Sequence, residues 1–143
     1  MKASLVGFIT DNQFKQETIL SYIYSAFFRM QILFFKPKYL KKYWGEEGEE
    51  SAEDEEKDVY KYAASVSRIV NRTCEKTKWE SKCLVRALTA QRLLKRKGIH
   101  STMYLGCRLE HGKMVAHAWL RCGKLFVTGG DGSGYSVVDR FYV

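Results

Sequence analysis

The period of the apolar pattern changes once along this chain, close to residue 100. Before it, hydrophobic residues recur at helical spacing. After it, they fall in short runs divided by Gly112-Lys113 and Gly123-Lys124. Such a chain places its helices first and then packs an antiparallel sheet on them, an α+β class. The spacing predicts helices over residues 18–35, 59–76 and 82–96, and strands over 102–108, 115–122 and 125–128. Residues 135–143 are expected to form an edge strand or a short helix, and residues 1–10 a short strand or a frayed start. Pro37 ends or kinks the first helix, and Gly98 suits the position just past the last one. The expected core stripes are Ile19, Ile23, Ala26 or Phe27 and Met30 on the first helix, and Tyr62, Val66, Ile69 and Val70 on the second. The third carries Leu84, Ala87, Leu88, Gln91 and Leu94 or Lys95. At 143 residues the chain suits one core and buries about 68–70% of its unfolded surface, so no staple is required.

Charge is unevenly spread within the net +8. Residues 46–58 hold nine acids and one lysine, whereas residues 59–143 hold sixteen Lys and Arg against five acids. The acidic stretch reads as an exposed loop or mobile linker; its acids come in runs, unlike a calcium loop. The basic remainder is compatible with nucleic acid, an anionic membrane or an acidic peptide, or with nothing more than a lysine-rich soluble surface. No nucleic-acid-binding motif and no phosphate-cradling glycine loop is present. The first helix is too short in uninterrupted apolar sequence to span a bilayer, which takes roughly 18–20 residues. Its alternatives are packing across the body, or docking a partner protein or a membrane surface with help from Lys36, Lys38, Lys41 and Lys42. The four cysteines, Cys74, Cys83, Cys107 and Cys122, form no C-x-x-C pair and follow no secretory leader. Free thiols in a reducing, cytoplasmic setting are expected, with a peripheral membrane position as the alternative.

Three residues carry candidate chemistry. Cys83 opens the third helix, where Ser81 can act as cap and place the thiol at the second helical position. Unpaired amides in a first turn favour a thiolate and can donate to an oxyanion. His117 lies in Val115-Ala-His-Ala-Trp-Leu120. Alternation puts it on one face with Val115 and Trp119, and Ala116, Ala118 and Leu120 on the other. Asp131, fourteen residues on, sits in a glycine-rich turn that a hairpin would return toward His117, and Asp139 is the second candidate for orienting the ring. A thiol, an imidazole and a carboxylate in this order suit acyl transfer. Each also has a plain structural reading: an inert thiol, a satisfied histidine, a turn aspartate. Closely paired zinc ligands are not seen.

Taken together, Trp79-Glu-Ser-Lys-Cys-Leu-Val-Arg-Ala-Leu88, Arg92-Leu-Leu-Lys-Arg-Lys-Gly-Ile99 and Ala116-His-Ala-Trp-Leu120 resemble the leader peptidase of lasso-peptide biosynthesis, within the transglutaminase-like cysteine proteases. The resemblance covers residues 59–131 closely and 18–45 more loosely; the acidic stretch 46–58 is outside it. It implies a transglutaminase/papain-like core with Cys83, His117 and Asp131 as catalytic residues and no metal, ATP or other cofactor. It also implies cleavage of a leader from a ribosomally made precursor peptide. The partners it implies are that precursor, a separate leader-recognition protein and an ATP-dependent macrolactam synthetase. The corresponding organisation is an N-terminal helical, partner-docking segment over 1–45, the acidic linker over 46–58 and a catalytic body over 59–143. A transpeptidase with the same triad and a basic, non-enzymatic binding module are the rival readings.

Overall fold

The computed structural model describes residues 14–78 and 81–143, and the start expected over 1–10 lies outside them. The chain is α+β, as the change of period requires. Helix α1 spans Lys15–Phe34 and is followed by the short helix α2, Pro37–Leu40, and a 3₁₀ turn at Lys41–Tyr43. Strand β1 is Glu46–Glu47. Helices α3, Lys57–Lys76, and α4, Cys83–Arg96, lead into β2, Thr102–Glu110, β3, Lys113–Cys122, β4, Leu125–Thr128, and β5, Ser136–Tyr142. The sheet is antiparallel throughout, in the order β1-β5-β2-β3-β4.

Helix α4 is the centre of the molecule. It packs on α1 and α3 on one side and on β3 and β4 on the other. Its Ala87, Ala90, Leu93 and Leu94 are fully buried, and Val85, Leu88, Thr89 and Gln91 are buried as well, so this helix is enclosed around most of its circumference and not along one stripe. The sheet meets the helices with Met103, Ala118, Leu120, Cys122, Val127 and Phe141. The alternation expected of β3 therefore holds: Ala118 and Leu120 face the helices, and His117 and Trp119 project from the opposite face.

Three expectations change. The apolar stripe of α1 points outward, with Ile19, Ile23, Phe27 and Met30 all exposed, while Glu17, Ser21, Ser25 and Phe28 are buried. The reason is closeness of approach: α1 lies against both α3 and α4, and small hydroxyl side chains fit there. Ser21 Oγ hydrogen-bonds Thr73 Oγ1, and Tyr62 donates its hydroxyl hydrogen to Glu17 at 3.3 Å.

The acidic stretch is largely exposed, but it is tied to the sheet. Glu46 and Glu47 pair with Tyr142 and Phe141, so β5 becomes an inner strand at that end and not the edge. Gly45, at φ +119°, lets the chain turn in against the Tyr142 carbonyl, where a Cβ would collide. Further along, Thr102 Oγ1 accepts from the Ser51 amide at 2.7 Å, and Arg121 donates to the Ser51 and Ala52 carbonyls at 3.1 and 3.0 Å. Tyr104 donates to Glu50 at 2.6 Å.

The third change is the cap of α4. Lys82 occupies the N-cap position, and Ser81 instead hydrogen-bonds Thr77 Oγ1 at 2.8 Å. Cys83 is thus the first helical residue, not the second.

Candidate active site

The first turn of α4 has no side-chain cap. The first amide with an intrahelical acceptor is that of Arg86, which donates to the Lys82 carbonyl at 2.9 Å. The amides of Cys83, Leu84 and Val85 precede it and have no acceptor within the helix. The Arg86 side chain steadies this entry, donating from Nε to the Ser81 carbonyl at 2.9 Å and from Nη1 to Asn71 Oδ1 at 3.2 Å. The partial positive end of the helix is therefore directed at the half-buried Cys83.

The other thiols differ. All four cysteines are free. Cys74 and Cys122 are buried in the core, and burial pushes both thiols up, Cys122 to about 11. A neutral, enclosed thiol is a poor nucleophile. Cys107 is half-buried on β2.

His117 stands on β3 opposite Gly106. Its Nε2 lies 2.7 Å from the carbonyl oxygen of Gly129. A carbonyl only accepts, so Nε2 carries the proton, and Nδ1 of the neutral ring is left as the basic nitrogen. The ring belongs to a cluster of three, with Tyr135 and Trp119 6.3 Å apart beside it. Tyr135 stacks on it at 4.8 Å between centroids and Trp119 at 5.8 Å. Trp119 in turn rests on Gly106, where a Cβ would fall 2.7 Å from its Cζ3. The Arg108 guanidinium lies over the Tyr135 ring at 4.6 Å. Tautomer and orientation of the imidazole are thus fixed by packing and one main-chain acceptor.

The expected carboxylates are elsewhere. Asp131 accepts from the amide and the hydroxyl of Ser133, at 2.9 and 2.6 Å, and those hydrogen bonds hold its carboxyl below the usual range. No hydrogen bond joins it to His117. Asp139 pairs with Lys41 at 3.1 Å and does not orient the ring either. The acceptor on His117 Nε2 is the Gly129 carbonyl, which no side-chain pattern encodes. Tyr135 and Arg86 were also missed; the signal for Tyr135 was an aromatic placed directly after the glycine-rich turn 129–134.

The Cys83 thiol packs against the core cluster at the start of α4 and makes no hydrogen bond to His117. The thiol lies on the helix side of the sheet, whereas His117 projects from the other face; β4 pairs with β3 only at Leu120, Arg121 and Cys122. Among the described residues no cluster of three or more His, Cys, Asp or Glu could hold a metal ion. No helix among them is long and apolar enough to cross a membrane.

Comparison with known proteins adds the family. No curated protein and no solved structure matches this chain. The domain profile of the transglutaminase-like superfamily matches residues 40–140, from the short helix α2 through most of β5. That span takes in the α4 first turn, the β3 histidine and all of the sheet but the end of β5. With most of its length inside that profile and the helix-then-sheet order in place, the chain belongs to the transglutaminase-like superfamily, a group of cysteine-protease and transglutaminase type enzymes.

Proposed function

We propose that this chain is a cysteine peptidase that removes the leader from a ribosomally made lasso-peptide precursor. It would act with a separate leader-recognition protein and ahead of an ATP-dependent macrolactam synthetase. The observation that carries the reading is the uncapped first turn of α4, with Cys83 at its first position and three open amides around it. The sequence resemblance supplies the substrate class.

In this reading the Cys83 sulfur attacks the carbonyl at the leader–core junction, and His117 Nδ1 takes the thiol proton. The tetrahedral oxyanion sits at the first-turn amides. His117 then returns the proton to the departing amine of the core peptide, and water hydrolyses the acyl-enzyme. The fold leaves the thiol on the helix side of β3 and His117 on its other face, so the reading requires a rearrangement that brings thiol and Nδ1 within hydrogen-bond reach when peptide binds. Catalytic hydrogen bonds commonly tighten only in the substrate complex. The Gly129 carbonyl keeps the ring in the right tautomer, but it lends less support to an imidazolium than a carboxylate does.

The test is incubation of the full chain with a candidate precursor and its recognition protein, followed by mass spectrometry. Leader and core are the expected products. Cys83→Ala and His117→Ala should each abolish cleavage with the circular dichroism unchanged. Asp131→Asn should stay within a few-fold of the unsubstituted protein; a loss as deep as that of His117→Ala would return the third role to Asp131. Products joined to an added amine would assign a transpeptidase, and full function in Cys83→Ala would assign a binding module.

A further inference from the structure

We propose that the outward face of α1 and the segment that follows it dock on an anionic lipid surface. The stripe Ile19, Ile23, Phe27, Met30 and Phe34 recurs at helical spacing along one side of α1, and it continues into Phe35, Tyr39 and Tyr43. Every one of these is exposed, Ile23 by 55%, Phe34 by 73% and Tyr43 by 67%. The stripe is about 23 Å long at 1.5 Å per residue. Monomeric proteins seldom leave so long an apolar strip in water. The polar side of α1 is already taken, since Glu17, Ser21 and Ser25 face α3 and α4. The helix is therefore set into the body with its apolar side out, the orientation an interfacial helix needs.

Charge selects the occupant. From Thr18 to Gly45 the chain holds no acidic residue, while Lys36, Lys38 and Lys42 are exposed at the end of the stripe. Lys38 and Lys42 lie over the rings of Tyr39 and Tyr43 at 5.0 and 5.1 Å. Amphipathic aromatics flanked by lysines suit the headgroup layer, with ammonium groups at the phosphates and rings just below. A second copy of the chain would bring the same cationic segment with it, so a two-fold pairing through this face sets lysines of one protomer against an acid-free segment of its partner. A bilayer rich in anionic lipid offers apolar depth and negative charge together. The proposal concerns this surface alone and holds for any substrate of the Cys83 site.

The experiment is co-sedimentation of the full chain with vesicles of phosphatidylcholine alone and of phosphatidylcholine with phosphatidylglycerol. Binding should appear with the anionic vesicles and fall steeply as salt is raised. Lys36→Gln, Lys38→Gln and Lys42→Gln together should weaken it on the order of 100-fold. Ile23→Ser, Met30→Ser and Phe34→Ser together should weaken it at least as much; because these side chains are exposed, circular dichroism should report an intact fold. No binding to anionic vesicles at low salt overturns the proposal, as does equal binding to neutral ones or binding that survives the apolar substitutions. Sedimentation velocity showing a dimer that those same substitutions dissociate, with no lipid binding, would assign the stripe to a second copy instead.

Discussion

Helices α1 and α4 lie against each other, yet they bury opposite kinds of residue. Helix α4 encloses Ala87, Ala90, Leu93 and Leu94 between helices and sheet, and its tip presents the thiol. Helix α1 encloses Glu17, Ser21 and Ser25 and turns its large apolar side chains to the outside. The stripe on a helix reports which side prefers to leave water. Which side faces the protein is decided by the neighbours. At α4 the neighbours leave room for branched side chains. At α1 the approach of α3 and α4 favours small residues that can hydrogen-bond across the gap, as Ser21 does with Thr73.

Substitutions that treat the two helices alike should separate them. The largest effect is expected at Leu93→Ala, which empties a fully buried position on α4 and should cost about 2–5 kcal/mol in denaturant unfolding. Next is Ser21→Leu on α1. Placing a large apolar side chain on its buried side should cost about 1–3 kcal/mol, because the site has no space for it. Thr73 keeps its hydrogen bond to the Val70 carbonyl in that variant, so the loss would report overpacking and not an orphaned hydroxyl. A gain in stability would break the comparison.

Tyr62 sharpens it further. Burial, then the nearby Glu17 carboxylate, pushes its phenol up to about 12 from 10.0. A raised acid favours the fold while it is neutral, so this contribution is complete below pH 10 and is lost as pH climbs toward 12. Tyr62→Phe should therefore flatten the decline in stability over that alkaline window, read by denaturant midpoints at a series of pH values. The smallest effect is expected at Ile23→Ser, within about 0.5 kcal/mol, because that side chain is exposed.

Much of the architecture was legible because it rests on local period. The second helix was expected over 59–76 and spans Lys57–Lys76; β4 falls where the glycines bracket it; and the two faces of β3 follow its alternation residue by residue. What failed was decided by distant partners. Strand β1 exists because Glu46 and Glu47 meet the end of β5, and a run of acids carries no strand signal of its own. The buried side of α1 depends on two helices that lie later in the chain. At the candidate site, Cys83 and His117 were visible as residue types in suitable local settings. Asp131 does not reach His117 in this structure for a physical reason: between glycines its carboxylate closes a local turn through Ser133, and such short-range bonds form more readily than one across the loop.

The acceptor on His117 has a further consequence, since it belongs to the main chain. Truncating side chains one by one cannot remove it, so an alanine scan is blind to what holds the imidazole. Gly129 adopts φ +77°, and a methyl group there would run into the Ala118 carbonyl and the Trp119 backbone. Any replacement at 129 would shift the loop and swing its oxygen off the ring. In a mutational map this dependence would surface as a position that accepts glycine alone, easily filed under turn geometry although it governs which nitrogen of the histidine is basic.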